Sequence, residues 1–137
     1  MVKVGIIGVG GIAQNVHIPQ LKECSDAVIT AICDIDEKAL KKVGDDLKID
    51  EKYRFKDYKD LIACPEVDAV EVCTPNYLHV KMAADAVRAG KSINVEKPLS
   101  VSLADTGELT DAIKETNAVN MMCMSYRFKP AVRFAKW

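Results

Sequence analysis

Val2-Lys3-Val4-Gly5-Ile6-Ile7-Gly8-Val9-Gly10-Gly11-Ile12-Ala13 opens this chain: an apolar run, a G-x-G-x-x-A turn, and the start of a helix-like stretch. Each small residue has a physical reason in a strand-turn-helix corner that binds a dinucleotide. Gly8 permits the sharp turn, Gly10 lets the backbone approach a pyrophosphate, and Ala13 lets the helix pack closely on its strand. Gly11 and Ile12 begin the helix, whose free N–H groups and positive dipole end suit phosphates. The pattern alone is weak, because tight corners recruit glycine for geometry.

Its context is stronger. A second apolar run, Ala27 to Cys33, ends in Asp34, about one βαβ unit later. A carboxylate there accepts hydrogen bonds from an adenosine ribose and repels a 2′-phosphate. Ile35-Asp36-Glu37 offers no arginine for that phosphate, so NAD is the expected cofactor and NADP the secondary one. The competing role for Asp34 is to cap the next helix, a task that Asp36 can take instead.

Further outward, strand-like runs fall at about 2–7, 27–33, 69–73, 92–95 and 119–124, with a weak one near 53–55. Helical patterns occupy 11–22, Asp36 to Leu47 and Tyr58 to Ala63. A fourth is capped by Asn76 and stopped by Gly90, and a fifth begins at Ser102. Alternating strands and helices predict an α/β fold, a doubly wound parallel sheet in the order 3-2-1-4-5-6 with helices on both faces. The ligand crevice then lies at the carboxyl ends of the strands. Thr74-Pro75-Asn76 and Glu96-Lys97-Pro98 are delivered to that edge beside the glycine turn.

Composition sets bounds. The 137 residues carry 49% hydrophobic and 28% charged residues and a net charge of −1, a globular balance with room for one domain. There is no basic stripe for nucleic acid, no spanning run and no leader, so no nucleic-acid or membrane partner is expected and a cytoplasmic location is. The five cysteines show no C-x-x-C spacing. Cys33, Cys73 and Cys123 read as reduced core residues, and no metal site is expected, since only His17 and His79 could complete one.

Taken together, the turn at Gly8, Gly10 and Ala13, the acid at Asp34, Thr74-Pro75-Asn76 with His79, Glu96-Lys97-Pro98, and Arg127-Phe128 with Pro130 resemble the nucleotide-binding (Rossmann) domain of the Gfo/Idh/MocA family. These are the glucose-fructose oxidoreductases, inositol dehydrogenases and rhizopine-catabolism proteins. The resemblance implies a hydride-transferring oxidoreductase acting on a sugar, cyclitol or related polyol. It implies that the Thr74–Asn76 loop lines the cofactor's ribose and phosphate side, that Glu96 sits by the nicotinamide end, and that Lys97 reaches the reacting oxygen. A cation there steadies alkoxide-like charge, and partial burial would bring a lysine toward acid–base work. A cis bond before Pro98 would aim Lys97 into the cleft. His79 is a candidate cofactor contact or a loop brace, Arg127 a candidate cofactor or substrate contact, and His17 a packing or loop-orienting group. The resemblance also implies a second α/β domain that bears substrate contacts and commonly an oligomer interface. Residues 1–129 therefore read as the dinucleotide-binding domain and 130–137 as the start of a helix, Pro130 to Lys136, leading to an absent C-terminal substrate domain. The alternative is a non-catalytic dinucleotide-binding or sensing module, against which the retained Lys97 counts.

Overall fold

A computed structural model describes residues 1–135 and shows a six-stranded parallel sheet in the order β3-β2-β1-β4-β5-β6. The strands are β1 (Val2–Ile7), β2 (Ala27–Cys33), β3 (Arg54–Phe55), β4 (Ala69–Val72), β5 (Ser92–Val95) and β6 (Asn120–Met122). The expected order is met, and all five neighbouring pairs run parallel. β1 sits at the centre, with Ile7 opposite Cys33 of β2 and Val72 of β4. Its last residue thus brings the glycine turn to the point where strand order reverses, which is where doubly wound sheets hold ligands.

Helices α1 (Ile18–Glu23) and α2 (Glu37–Leu47) lie on one face of the sheet; α3 (Tyr58–Ala63), α4 (His79–Arg88) and α5 (Thr106–Thr116) lie on the other. The period of two along each strand separates two cores. Val4 and Ile6 meet Ile18, Leu40 and Val43, while Ile7, Val70, Val72, Ile93 and Val95 meet Leu61, Val80, Ala84, Val87 and Leu109. This packing leaves little room for a side chain at Gly5: a Cβ there would stand 2.8 Å from Leu61 and 3.1 Å from Val67, and those core side chains would have to shift.

Local chemistry explains the boundaries. Asp36 caps α2, its Oδ1 accepting from the Lys38 and Ala39 amides at 2.9 and 3.3 Å, and Asp57 caps α3 through the Lys59 amide at 2.9 Å. Two expected caps are corrected. Asn76 caps nothing: Pro75 leads a tight 3₁₀ turn (Asn76–Leu78), closed by the Leu78 amide on the Pro75 carbonyl at 2.9 Å, and α4 starts only at His79. Asn76 lies inside that turn, and neither the turn nor α4 has a side-chain cap. Ser102 does not begin α5 either. Ser100 and Ser102 accept from the amides of Ser102 and Ala104 at 3.1 and 3.2 Å, local turns that compete with helix and delay it to Thr106. A last helix, α6 (Pro130–Ala135), follows a 3₁₀ turn over Ser125–Phe128; Lys136, expected within it, lies outside the described residues.

The first helical stretch contains a π turn, Ala13–His17, in which the Ile18 amide bonds to the Ala13 carbonyl five residues back. Pro19 follows in the first turn of α1. Proline lacks an amide donor and its ring excludes the carbonyl four residues earlier, so the ordinary ladder cannot pass through this point.

Candidate functional site

Gly8 turns with φ of 88°, a conformation L side chains rarely adopt, and a Cβ there would lie 2.9 Å from the Cys73 carbonyl group. Beyond it the chain is open: a Cβ on Gly10 would meet no protein atom within 4 Å. The protein's own packing therefore requires glycine at position 8 but not at position 10, whose missing side chain keeps space free in a cleft. That cleft has a volume of about 590 Å³ and is lined by Gly8, Gly10, Asp34, Thr74 and Pro75, with Ile35, Tyr77, Leu78 and Met82 as apolar walls. Gly11 and Ile12 are exposed at the helix start beside it.

Asp34 follows β2 and fastens this corner. Its Oδ2 accepts from the Val9 amide at 2.8 Å and its Oδ1 from the Asp36 amide at 2.9 Å. One carboxylate thus joins the glycine turn to the loop beyond β2, and Asp36 is left to cap α2. Across the cleft, the buried Thr74 hydroxyl has no hydrogen-bond partner. An orphaned hydroxyl, an unfilled space over Gly10 and a carboxylate at the cleft edge are the donor and acceptor set a dinucleotide uses, so the residues present fit that group.

His79 is placed otherwise than as a cleft contact. It is 1% exposed, with Nδ1 2.8 Å from the Pro98 carbonyl and Nε2 2.7 Å from the Thr74 carbonyl. It braces the loop after β4 against the loop after β5, the structural alternative weighed for it above. The Lys97–Pro98 bond is cis, as expected. Lys97 is exposed on the rim of a second hollow of about 520 Å³, formed with Leu99, Val101, Leu103, Met122 and Met124. The partial burial expected for Lys97 is not supplied, because among the described residues nothing covers this open hollow. Arg127 lies in the exposed 3₁₀ turn after β6 and lines neither cavity.

Glu96 turns away from solvent into a polar cluster that sequence reading missed. Its Oε1 lies 2.8 Å from His17 Nε2, and its Oε2 accepts from the Lys97 amide at 2.8 Å. His17 Nδ1 lies 3.0 Å from Glu71 Oε1, and Glu71 takes Asn94 Nδ2 at 3.0 Å on both oxygens. The Cys123 thiol approaches Asn94 Oδ1 at 3.3 Å. The Glu71 carboxylate at Nδ1 holds the His17 pKa above its ordinary value against the opposing effect of burial, and Glu96 adds to the rise. Burial pushes the Cys33 and Cys123 thiols up to about 12, and the Cys73 thiol upward too, which removes the nucleophilic thiolate at neutral pH. Donor atoms of His17, Glu71 and Cys123 lie within 4.8 Å of one another, but both ring nitrogens already face carboxylates. The signal for Glu71 and Asn94 was present: each is a polar residue in mid-strand, in Ala69-Val-Glu-Val72 and Ser92-Ile-Asn-Val95.

Among the described residues no helix is long and apolar enough to cross a membrane. Residues 2–124 match the model of an oxidoreductase family with an NAD-binding Rossmann fold, the Gfo/Idh/MocA family. The chain is 33% identical over 126 residues to the myo-inositol 2-dehydrogenase of Thermotoga maritima, covering 92% of this chain and 37% of that protein. Among solved structures, scyllo-inositol dehydrogenase of Lactobacillus casei with NAD(H) and scyllo-inositol shares the fold, with TM-score 0.91 at 24% identity over 99% of this chain and 40% of that one. The 3-ketoreductase KijD10 of Actinomadura kijaniata, in complex with TDP-benzene and NADP, superposes with TM-score 0.89 at 27% identity over 98% of this chain and 42% of that one. The chain thus spans well under half the length of these relatives. With its glycine corner, its acid-fastened cleft and this match along nearly its whole length, the chain belongs to the Gfo/Idh/MocA oxidoreductase family, as its NAD(P)-binding Rossmann domain.

Proposed function

We propose that this chain is the nucleotide-binding part of an NAD-preferring dehydrogenase that acts on a sugar, cyclitol or related polyol. The observation that carries the reading is the placement of two cavities on one carboxyl edge: the cleft over Gly10 and Asp34, and the hollow rimmed by Lys97. In this reading Gly8, Gly10, Gly11 and Ile12 cradle the pyrophosphate, Asp34 accepts from the adenosine ribose, and Thr74, Pro75 and Asn76 line the ribose and phosphate side. His79 acts behind them as a brace. Bound nicotinamide supplies the hydride acceptor. Glu96 fixes the loop beside it, while Lys97 takes or returns the proton of the reacting hydroxyl and steadies charge on its oxygen. Arg127 is reserved for substrate or cofactor in the whole enzyme.

NAD is the preferred cofactor because Asp34 presents negative charge where a 2′-phosphate would sit. Residues 1–129 form the cofactor domain, α6 leads toward a substrate domain, and pairing of copies through that second domain is compatible with the reading; the intact enzyme works in the cytoplasm.

The test is a fluorescence titration of the chain with NADH and NADPH, paired with turnover assays of a chain extended to the length of its relatives, against NAD⁺ with inositols and aldoses. Saturable binding favouring NADH, and polyol-dependent NADH formation abolished by Lys97→Met, are the expected results. A chain that binds nucleotide while its extended form turns over none of these substrates would favour the sensing-module alternative.

A further inference from the structure

The π turn carries His17 off the path of an ordinary helix and into the carboxyl edge of the sheet, where its side chain is 10% exposed. There it stands between two carboxylates from different strands. Glu71 lies in β4, and Glu96 follows β5. The distances are 3.0 Å from Nδ1 to Glu71 and 2.8 Å from Nε2 to Glu96. Glu96 spends its other oxygen on the Lys97 amide at 2.8 Å. A continuous chain of polar contacts therefore runs from Asn94 through Glu71, His17 and Glu96 to the backbone of Lys97.

We propose that His17 is a positioning residue for Lys97: its ring, clamped between Glu71 and Glu96, holds the Glu96–Lys97 backbone in the place from which Lys97 acts. The proposal rests on the reading of Lys97 given above. Two carboxylates can be drawn together on one ring only while both nitrogens carry protons, since Nδ1 and Nε2 must both donate. The titratable groups facing the ring are Glu71 from β4, Glu96 after β5 and Cys123 after β6. The first two favour the charged ring, and the third stays a neutral thiol at working pH, its pKa pushed up to about 12. On this proposal the proton lost at higher pH is the one on Nε2, which releases Glu96, and the Lys97 amide loses a fixed acceptor. His17 is not among the residues that line either cavity, so its effect on Lys97 is exerted through Glu96.

The experiment is an NMR titration of the ¹⁵N-labelled 137-residue chain between pH 5.5 and 9, following the His17 ring nitrogens and the Lys97 amide. The expected result is one shared midpoint, above the ordinary histidine value. In His17→Gln the inflection at the Lys97 amide disappears. In Glu71→Gln, which keeps the ring but removes the facing charge, the shared midpoint falls by roughly 1 pH unit or more. A Lys97 amide that shows no inflection at the ring's midpoint overturns the proposal, as does an inflection that persists in His17→Gln. Should His17→Gln lose its dispersed amide spectrum, the wild-type titration and Glu71→Gln decide alone. Undiminished turnover of the extended chain carrying Lys97→Met would remove the catalytic reading and leave the shared titration intact; uncoupled titrations with an inactive Lys97→Met would remove the positioning proposal alone.

Discussion

Asp34 does two things with one carboxylate, and only one of them was expected. It presents charge at the cleft edge, and it ties the Val9 amide to the loop after β2. Asp34→Ala is therefore expected to weaken NADH binding about tenfold or more, since hydrogen bonds to a charged acceptor contribute roughly 1.5–3 kcal/mol, and to narrow the gap between NADH and NADPH. Paired fluorescence titrations check both. His17 gives a second expectation at this scale. Its folded pKa is raised above the ordinary 6.5, so its contribution to stability is full below that value and is lost as pH rises through the folded value. Urea unfolding is expected to show lower stability at pH 8.5 than at pH 6, and His17→Gln to flatten that difference. His79 was open between cofactor contact and brace; its burial between the Thr74 and Pro98 carbonyls assigns it the second place. His79→Ala is expected to cost about 1–3 kcal/mol on urea unfolding, because a buried carbonyl loses its donor and the brace between the two loops is removed.

Among the elements, the glycine corner separates folding from binding cleanly. Gly8→Ala forces a side chain into a φ of 88° against the Cys73 carbonyl group, whereas Gly10→Ala projects into open cleft. The first is expected to destabilise the chain by about 1–3 kcal/mol. The second is expected to leave thermal stability unchanged while lowering nucleotide affinity at least tenfold, read by calorimetry and by the same titration. Elements with clear patterns were legible in the sequence: β1, β2 and α3 lie where the apolar runs and the helical pattern put them, and the strand order follows from alternation. What escaped depends on local competition or on distance. The Ser100–Ser102 turns and the 3₁₀ turn at Asn76 win by side-chain and proline geometry that a helix pattern does not record. The cluster of His17, Glu71, Asn94 and Glu96 is assembled from segments up to 79 residues apart, and only the sheet register reveals that they meet.

For the whole molecule, several large apolar side chains late in the chain stay outside the two cores. Met121, Met122, Met124, Phe128 and Phe134 are all exposed along β6, the turn after it and α6. Exposed apolar surface of this kind favours association. Sedimentation of the 137-residue chain is expected to show reversible, concentration-dependent self-association, reduced when Met121 and Phe128 are replaced by serine.

The central position of β1 also bears on how the chain is synthesised. Val4 pairs with Ile29 on one side and with Ala69 on the other, so one edge of the strand can close early while the other waits for a partner 65 residues downstream. At about 5–20 residues per second on the ribosome, that is an interval of roughly 3–13 s in which a strongly apolar strand has an open backbone edge. The nascent chain is most exposed to mispairing in that interval, before the nucleotide cleft can exist at all, and chaperone demand should fall sharply once Val72 has emerged.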